Sequence, residues 1–260
     1  MSEGKVTTEK RGHVLLIGLD RAEKRNAFDV AMFHALGRAY ATLDADDELR
    51  AGVLFAHGDH FTAGLDLAAF SPVFASGHWS QAEGGLDPLG LEGPRLRKPM
   101  VSAVQGICFT IGIELMLATD VRVVAPDVRF GQIEVKRGIY PVGGATMRFP
   151  LQVGWGNAMR WLLTGDEFDA TEALRMGLVQ EIAEPGEHVE QATALAEAIA
   201  DQAPLGVRAT LASARLGMEQ GQAAAARRLL PDLLPILGSE DAKEGLASFL
   251  ERRTAKFRGR

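Results

Sequence analysis

Two stretches of this chain follow one pattern. Gly58 to Leu67 (GDHFTAGLDL) and Gly106 to Leu115 (GICFTIGIEL) share the frame G-x-x-F-T-x-G-x-[D/E]-L, displaced by 48 residues. Each follows a short apolar run, Gly52 to Ala56 in one case and Val101 to Val104 in the other. Each leads into apolar residues at helical spacing. That order reads as a strand, a glycine-permitted turn and a helix start. Glycine in the turn lets a ligand approach bare backbone N–H groups. The free N–H groups of a first helical turn favour negative charge. Two such turns, folded side by side, make a grip for one developing oxyanion.

The same reading extends along the chain. His13 to Leu19 reads as a strand. Phe28, Met32, Leu36, Tyr40 and Leu43 form one stripe, which predicts an amphipathic helix. Ala63 to Phe70 is expected to open a short helix, Gly112 to Ala118 to form another, and Asp120 to Val124 to form a strand. Ser71 to Arg97 is rich in Gly, Pro and Ser without a sustained period. A loop that long inside a compact domain is a lid, a binding loop or a mobile segment. The second half turns helical. Ala145 to Leu163 reads as two helices broken around Gly154 and Gly156. Asp169 caps Ala170 to Met176, and Gly177 stops it. His188 to Asp201 and Pro204 to Glu219 follow, with Pro204 at a tolerated first-turn site. Gln222 to Leu234 and Ser239 to Lys256 come last, with the break between them marked by Pro231 and Pro235. The expected fold class is therefore α/β, a core of stacked strand–strand–helix turns carrying a helical C-terminal region.

Composition sets limits. The 260 residues are 47% hydrophobic and 24% charged, enough apolar material to bury a core in one large domain or two small ones. A net charge of −6 weighs against a nucleic-acid surface. The single cysteine, Cys108, has no internal partner and reads as a small core residue, which fits a reducing, cytoplasmic setting. Met1 to Arg11 lacks the apolar run of a signal peptide. Met100 to Ala125 is the most apolar stretch, but Gln105, Glu114, Asp120 and Arg122 interrupt it. A buried strand–helix–strand unit explains it better than a membrane span. His57, His60 and His78 lack metal-ligand spacing, so no metal is expected, and no nucleotide-type glycine loop is present.

Two carboxylates stand out. Glu114 lies at a helix start among Ile113, Leu115, Met116 and Leu117. Buried there, its pKa rises toward proton-transfer usefulness; left exposed, it is only a charge stabilised by the helix dipole. Glu134 follows Phe130-Gly131 and reads either as a strand-end carboxylate at the surface or as a second acid–base group.

These motifs resemble those of a known family. Phe61 to Leu67 resembles the first oxyanion loop of the crotonase superfamily, the enoyl-CoA hydratase/isomerase proteins. Lys98 to Gly106 is similar to that family's strand before the second loop. Phe130 to Glu134 with Gly138 to Pro141 is similar to its second catalytic segment, and Asp20 to Ala27 to its N-terminal CoA-contacting turn. Thr164-Gly165, Ala170 to Gly177 and the tail Glu244 to Arg260 also fit, so the likeness runs from about Val14 to the C-terminus. The resemblance implies a crotonase-like spiral of stacked β-β-α turns, with residues 1–200 as the core and 201–260 as a helical trimerisation region. It implies a homotrimer or a dimer of trimers. It assigns Glu114 and Glu134 as the catalytic pair and the backbone N–H groups of Leu65 and Ile111 as the oxyanion hole. It points to Lys24, Arg25, Ala27, Ala63, Asp66, Leu67 and Val142 around the CoA thioester, and to Phe249 and Arg252 near the CoA of a neighbouring subunit. Asp66 is also suited to capping a helix. Trp79 and Phe74 are placed to cover an acyl tail.

The implied activity is hydration of 2-enoyl-CoA thioesters, with no cofactor beyond the CoA that the substrate carries. One base activates water while an acid delivers a proton to the α-carbon. Two close carboxylates resist ionising together, so one stays protonated more readily. The chain departs from the family in two places. Thr110-Ile111 stands where glycines are usual, and Val142 replaces a glycine after Pro141. Both add bulk near the expected thioester. Competing readings are an enoyl-CoA isomerase, a specialised acyl-CoA dehydratase or hydrolase, and a non-catalytic acyl-CoA-binding protein.

Overall fold

The computed structural model describes residues 3–79 and 81–260. Its first strand, β1 (Lys5–Arg11), forms an antiparallel hairpin with β2 (Val14–Asp20). Helix α1 (Val30–Ala45) follows, capped by Asp29, whose carboxylate accepts from the Met32 N–H at 2.8 Å. Strand β3 (Ala51–Ala56) leads into the first glycine turn and helix α2 (Leu67–Ser76). Strands β4 (Met100–Val104) and β5 (Ile107–Phe109) lead into α3 (Ile111–Ala118), then β6 (Val121–Val124) and β7 (Arg129–Gly131). A 3-10 turn spans Glu134–Arg137. Next come α4 (Ala145–Val153), α5 (Trp155–Thr164), β8 (Phe168–Asp169), α6 (Ala170–Arg175) and β9 (Glu181–Ile182). Helices α7 (His188–Ala200), α8 (Pro204–Gln220), α9 (Gln222–Ala226), α10 (Leu229–Leu237) and α11 (Glu240–Glu251) complete the chain.

Six strands form the main sheet in the order β1-β2-β3-β4-β6-β9, parallel except at the β1–β2 edge. A second sheet runs β5-β7-β8. Alternation along β2 explains why the run is apolar throughout. Val14 and Leu16 pack with Ala192, Ala196 and Ala200 of α7, whereas Leu15, Ile17 and Leu19 join Phe33, Leu36 and Tyr40 of α1. A parallel strand covered on both faces carries no polar side. Alanine at every fourth position of α7 lets that helix lie close to the sheet.

The repeat is a physical pair. Thr62 and Cys108 form a parallel bridge, with the Thr62 N–H donating to the Ile107 carbonyl at 3.0 Å and the Phe109 N–H to the Thr62 carbonyl at 3.0 Å. Gly106, at φ +54°, is required at this crossing, because a Cβ there would lie 2.0 Å from the Asp59 carbonyl oxygen. Cys108 is fully buried, and burial pushes its thiol well above the ordinary range, so it packs as a neutral apolar group.

Several element boundaries differ from the sequence expectation. Strand β1 was not anticipated, because its seven residues are exposed or half-buried and carry no apolar face. Helix α2 starts later than expected and runs through Pro72 to Ser76, so the irregular segment after it is shorter than 71–97. The stretch 222–237 is two helices broken at Arg227 and Arg228, and Pro235 lies inside the second of them. Gly156 lies within α5, and Gly154 alone marks the break. No helix among the described residues is long and apolar enough to cross a membrane.

Candidate active site

The two turns and the 3-10 turn at Glu134 converge on one cavity of about 600 Å³. Its wall is mainly apolar. Glu114 and Glu134 both line it, as do Leu65, Ile111, Ala63, Leu67 and Val142.

Glu114 sits in the first turn of α3 and is 3% exposed. Its Oε1 accepts the Gly143 N–H at 2.6 Å and the Ala145 N–H at 3.2 Å, both at the N-terminus of α4. Burial pushes its carboxyl up to about 7, against the opposing pull of those two N–H groups and of Arg148. Glu134 is 8% exposed. Its Oε2 is buried without a hydrogen-bond partner among the described residues. Burial raises this carboxyl to about 7 as well, and the charge of Glu114 adds to the rise. That effect places the two acids within electrostatic reach of each other. Burial without a cation partner is the condition that readies a carboxyl for proton transfer near neutral pH.

Backbone geometry opposite the acids is equally specific. In the Phe28–Leu65 bridge the Phe28 N–H donates to the Gly64 carbonyl and the Asp66 N–H to the Phe28 carbonyl. Leu65 is thereby left with its own N–H turned away from Phe28, and no described group accepts from it. Ile111 opens α3, where the first N–H groups have no intrahelical acceptor. Thr110 before it holds φ +49° and ψ −112°, an uncommon conformation for a β-branched residue. Its own N–H is anchored on the Gly131 carbonyl at 2.9 Å, which ties the second turn to the segment carrying Glu134.

Most of the remaining sequence-derived residues fall elsewhere. Lys24 and Arg25 are exposed on a 3-10 turn outside the cavity wall, but the Arg25 carbonyl accepts the Ala63 N–H at 2.9 Å, which fixes that turn against the first loop. The Ala27 carbonyl accepts from Arg21 at 2.9 Å. Asp66 is committed to structure: it caps α2 through the Ala69 N–H at 3.4 Å and pairs with buried Arg21 at 3.3 Å. Phe249 is 79% exposed and Arg252 closes α11 in a left-handed conformation, both away from this cavity. Trp79 and Phe74 line the cavity, although Phe74 belongs to α2 rather than to a loop.

Sequence reasoning missed three features. Gly143 and Ala145, which hold Glu114, were visible only as small residues after a proline. Asn26 is fully buried and donates to the His57 and His60 carbonyls while its own carbonyl accepts from the Thr62 hydroxyl, so it staples the N-terminal turn to the first loop. Arg137 and Tyr140 also line the cavity.

The family described as enoyl-CoA hydratase/isomerase matches residues 9–260. The chain belongs to that family. Its fold is the crotonase fold. The chain is 34% identical over 257 residues to the enoyl-CoA hydratase EchA19 of Mycobacterium tuberculosis, covering 97% of this chain and 96% of that protein. It is 35% identical over 260 residues to the carnitinyl-CoA dehydratase of Salmonella typhi, covering 96% and 97%. Among solved structures, a "probable enoyl-CoA hydratase/isomerase" from Mycobacterium abscessus superposes with a TM-score of 0.96 at 50% identity, covering 98% of this chain and 99% of that one.

Proposed function

We propose that this family member adds water across the double bond of 2-enoyl-CoA thioesters. The observation that carries the reading is the pair of buried carboxyls, Glu114 and Glu134, both raised to about 7 at one apolar cavity that also receives the Leu65 and Ile111 turns. Near neutral pH such a pair holds one proton more readily than none or two. Glu114, with one oxygen fixed by Gly143 and Ala145, orients and deprotonates the water. Glu134 exchanges the α-proton. The thioester oxygen gains charge as the enolate forms, and the N–H groups of Leu65 and Ile111 stabilise it, each by about 2.7–4 kcal/mol. CoA enters as part of the substrate, and the reading calls for no metal or separate cofactor.

Retention of two acids favours hydration over isomerisation, which needs one base. The test is turnover of a panel of 2-enoyl-CoA thioesters by the wild type, Glu114→Gln and Glu134→Gln, with product stereochemistry and double-bond position determined. The expected product is the 3-hydroxyacyl-CoA, with both variants crippled. Near-normal hydration in both variants contradicts the assignment. Loss confined to Glu134→Gln, with a shifted double bond as product, assigns isomerisation instead.

The active form is proposed to be a homotrimer or a dimer of trimers, with residues 201–260 as the assembling region. Support comes from α8, α9 and α10, which bury none of their residues within the chain and leave Leu230 and Leu234 71% and 67% exposed. The buried, unpaired Cys108 supports a reducing, cytoplasmic setting.

A further inference from the structure

The cavity wall has an aromatic side. Trp79 lines the cavity and stacks on Phe33, with ring centroids 5.4 Å apart and planes at 25°. Phe70 packs edge-on against both, at 6.1 Å from Trp79 and 6.2 Å from Phe33. Phe33 and Phe70 are each 1% exposed, so the indole rests on a core that cannot yield. One indole face is taken up by Phe33, Phe70 packs against the ring edge-on, and Trp79 still contributes to the cavity wall. Phe74, 6.2 Å from Phe70, extends the same wall. The same cavity is also lined by β-branched Thr110, Ile111 and Val142 and by both glutamates. The cavity thus combines β-branched residues and its two acids with a preformed aromatic wall.

We infer that the acyl group this site prefers carries a rigid, ring-bearing apolar substituent that stacks on Trp79, rather than a short or flexible straight chain. The inference deepens the hydratase reading and rests on it. A flexible chain loses rotamer freedom when it is laid along a fixed wall, whereas a ring arrives already ordered. Ring-on-ring packing adds to what area burial alone supplies, by about two- to twelvefold in affinity. An exposed indole on a mobile loop would carry no such preference; this one is held by two buried phenylalanines.

The test compares 5-phenylpent-2-enoyl-CoA with undec-2-enoyl-CoA, which has the same number of carbons and the same conjugation, and with crotonyl-CoA. The expected kcat/KM order is phenyl, then straight chain, then crotonyl, with a phenyl-to-straight ratio of about two or more. Trp79→Leu should bring that ratio to about one, and Trp79→Phe should keep most of it. A ratio is unaffected by partial loss of folded enzyme. Binding of the unreactive 5-phenylpentanoyl-CoA should also quench tryptophan fluorescence, and the quench should be missing in Trp79→Phe. A wild-type ratio at or below one, or a ratio unmoved in Trp79→Leu, overturns the inference. The two readings fail separately. If no thioester is hydrated but 5-phenylpentanoyl-CoA binds more tightly than undecanoyl-CoA through Trp79, the hydratase reading falls and the ring preference stands. If all are hydrated without preference, the reverse holds.

Discussion

Asp66 and Glu114 occupy the same place in the two copies of the repeated frame, yet their surroundings differ completely. Asp66 stands just before its helix, caps it, and pairs with Arg21. Glu114 stands inside its helix, because α3 begins at Ile111, five residues after its leading glycine, whereas α2 begins at Leu67, nine residues after its own. Starting the helix earlier turns the second acid inward. There it meets two backbone N–H groups and, among the described residues, forms no salt bridge. One frame therefore yields a capping residue in one copy and a buried acid in the other. Environment, rather than residue type or motif position, decides which carboxylate can handle a proton.

The comparison breaks most visibly at the buried acids. Glu114→Gln and Glu134→Gln each keep size and shape while removing proton transfer. Each is expected to lower kcat by about 10²–10⁴-fold in steady-state hydration assays. Gly143→Ala comes next. A Cβ at that position would lie 2.3 Å from Glu114 Oε2, so the carboxylate must move. Displacement on the order of 1 Å at a reacting group costs about 10²-fold, expected in kcat with Tm little changed. Asp66→Ala should behave in the opposite way. Losing the cap and one partner of Arg21 is expected to cost about 1–2 kcal/mol, read as a fall in the midpoint of denaturant unfolding. Its kcat should change less than that of either glutamate variant.

A further effect concerns pH. A carboxyl whose folded pKa is raised from 4.5 to about 7 binds more protons folded than unfolded between those values. Stability then falls as pH rises through that window and levels off above it, by about 1.4 kcal/mol per pKa unit for each group. Unfolding curves of either glutamine variant should decline less steeply across the window than those of the wild type. Equal slopes would mean that the acids are not raised.

Much of this was legible in the chain. The repeat announced two glycine turns, and the apolar runs before them announced strands. The capping role of Asp169 and the break at Gly154 were readable because they depend on neighbours a few residues away. Strand β1 was hidden because pairing with β2, not burial of its own side chains, holds it in the sheet. Ser71 to Arg97 read as a loop, yet α2 runs through Pro72 to Ser76. The grip of Gly143 and Ala145 on Glu114 spans 29 and 31 residues, and no local pattern encodes such a contact. Trp79 was placed near an acyl chain, but its stacking on Phe33, across the chain from α1, was not foreseeable.

The most direct measurement is a carboxyl titration by NMR with carbon-13-labelled glutamate, the signals assigned through Glu114→Gln and Glu134→Gln. Two resonances should titrate near 7 in the wild type, and loss of Glu114 should bring the Glu134 resonance down, because the Glu114 charge helps to raise it. Two carboxyls that ionise together near 4.5, each indifferent to removal of the other, would contradict a desolvated pair sharing a proton.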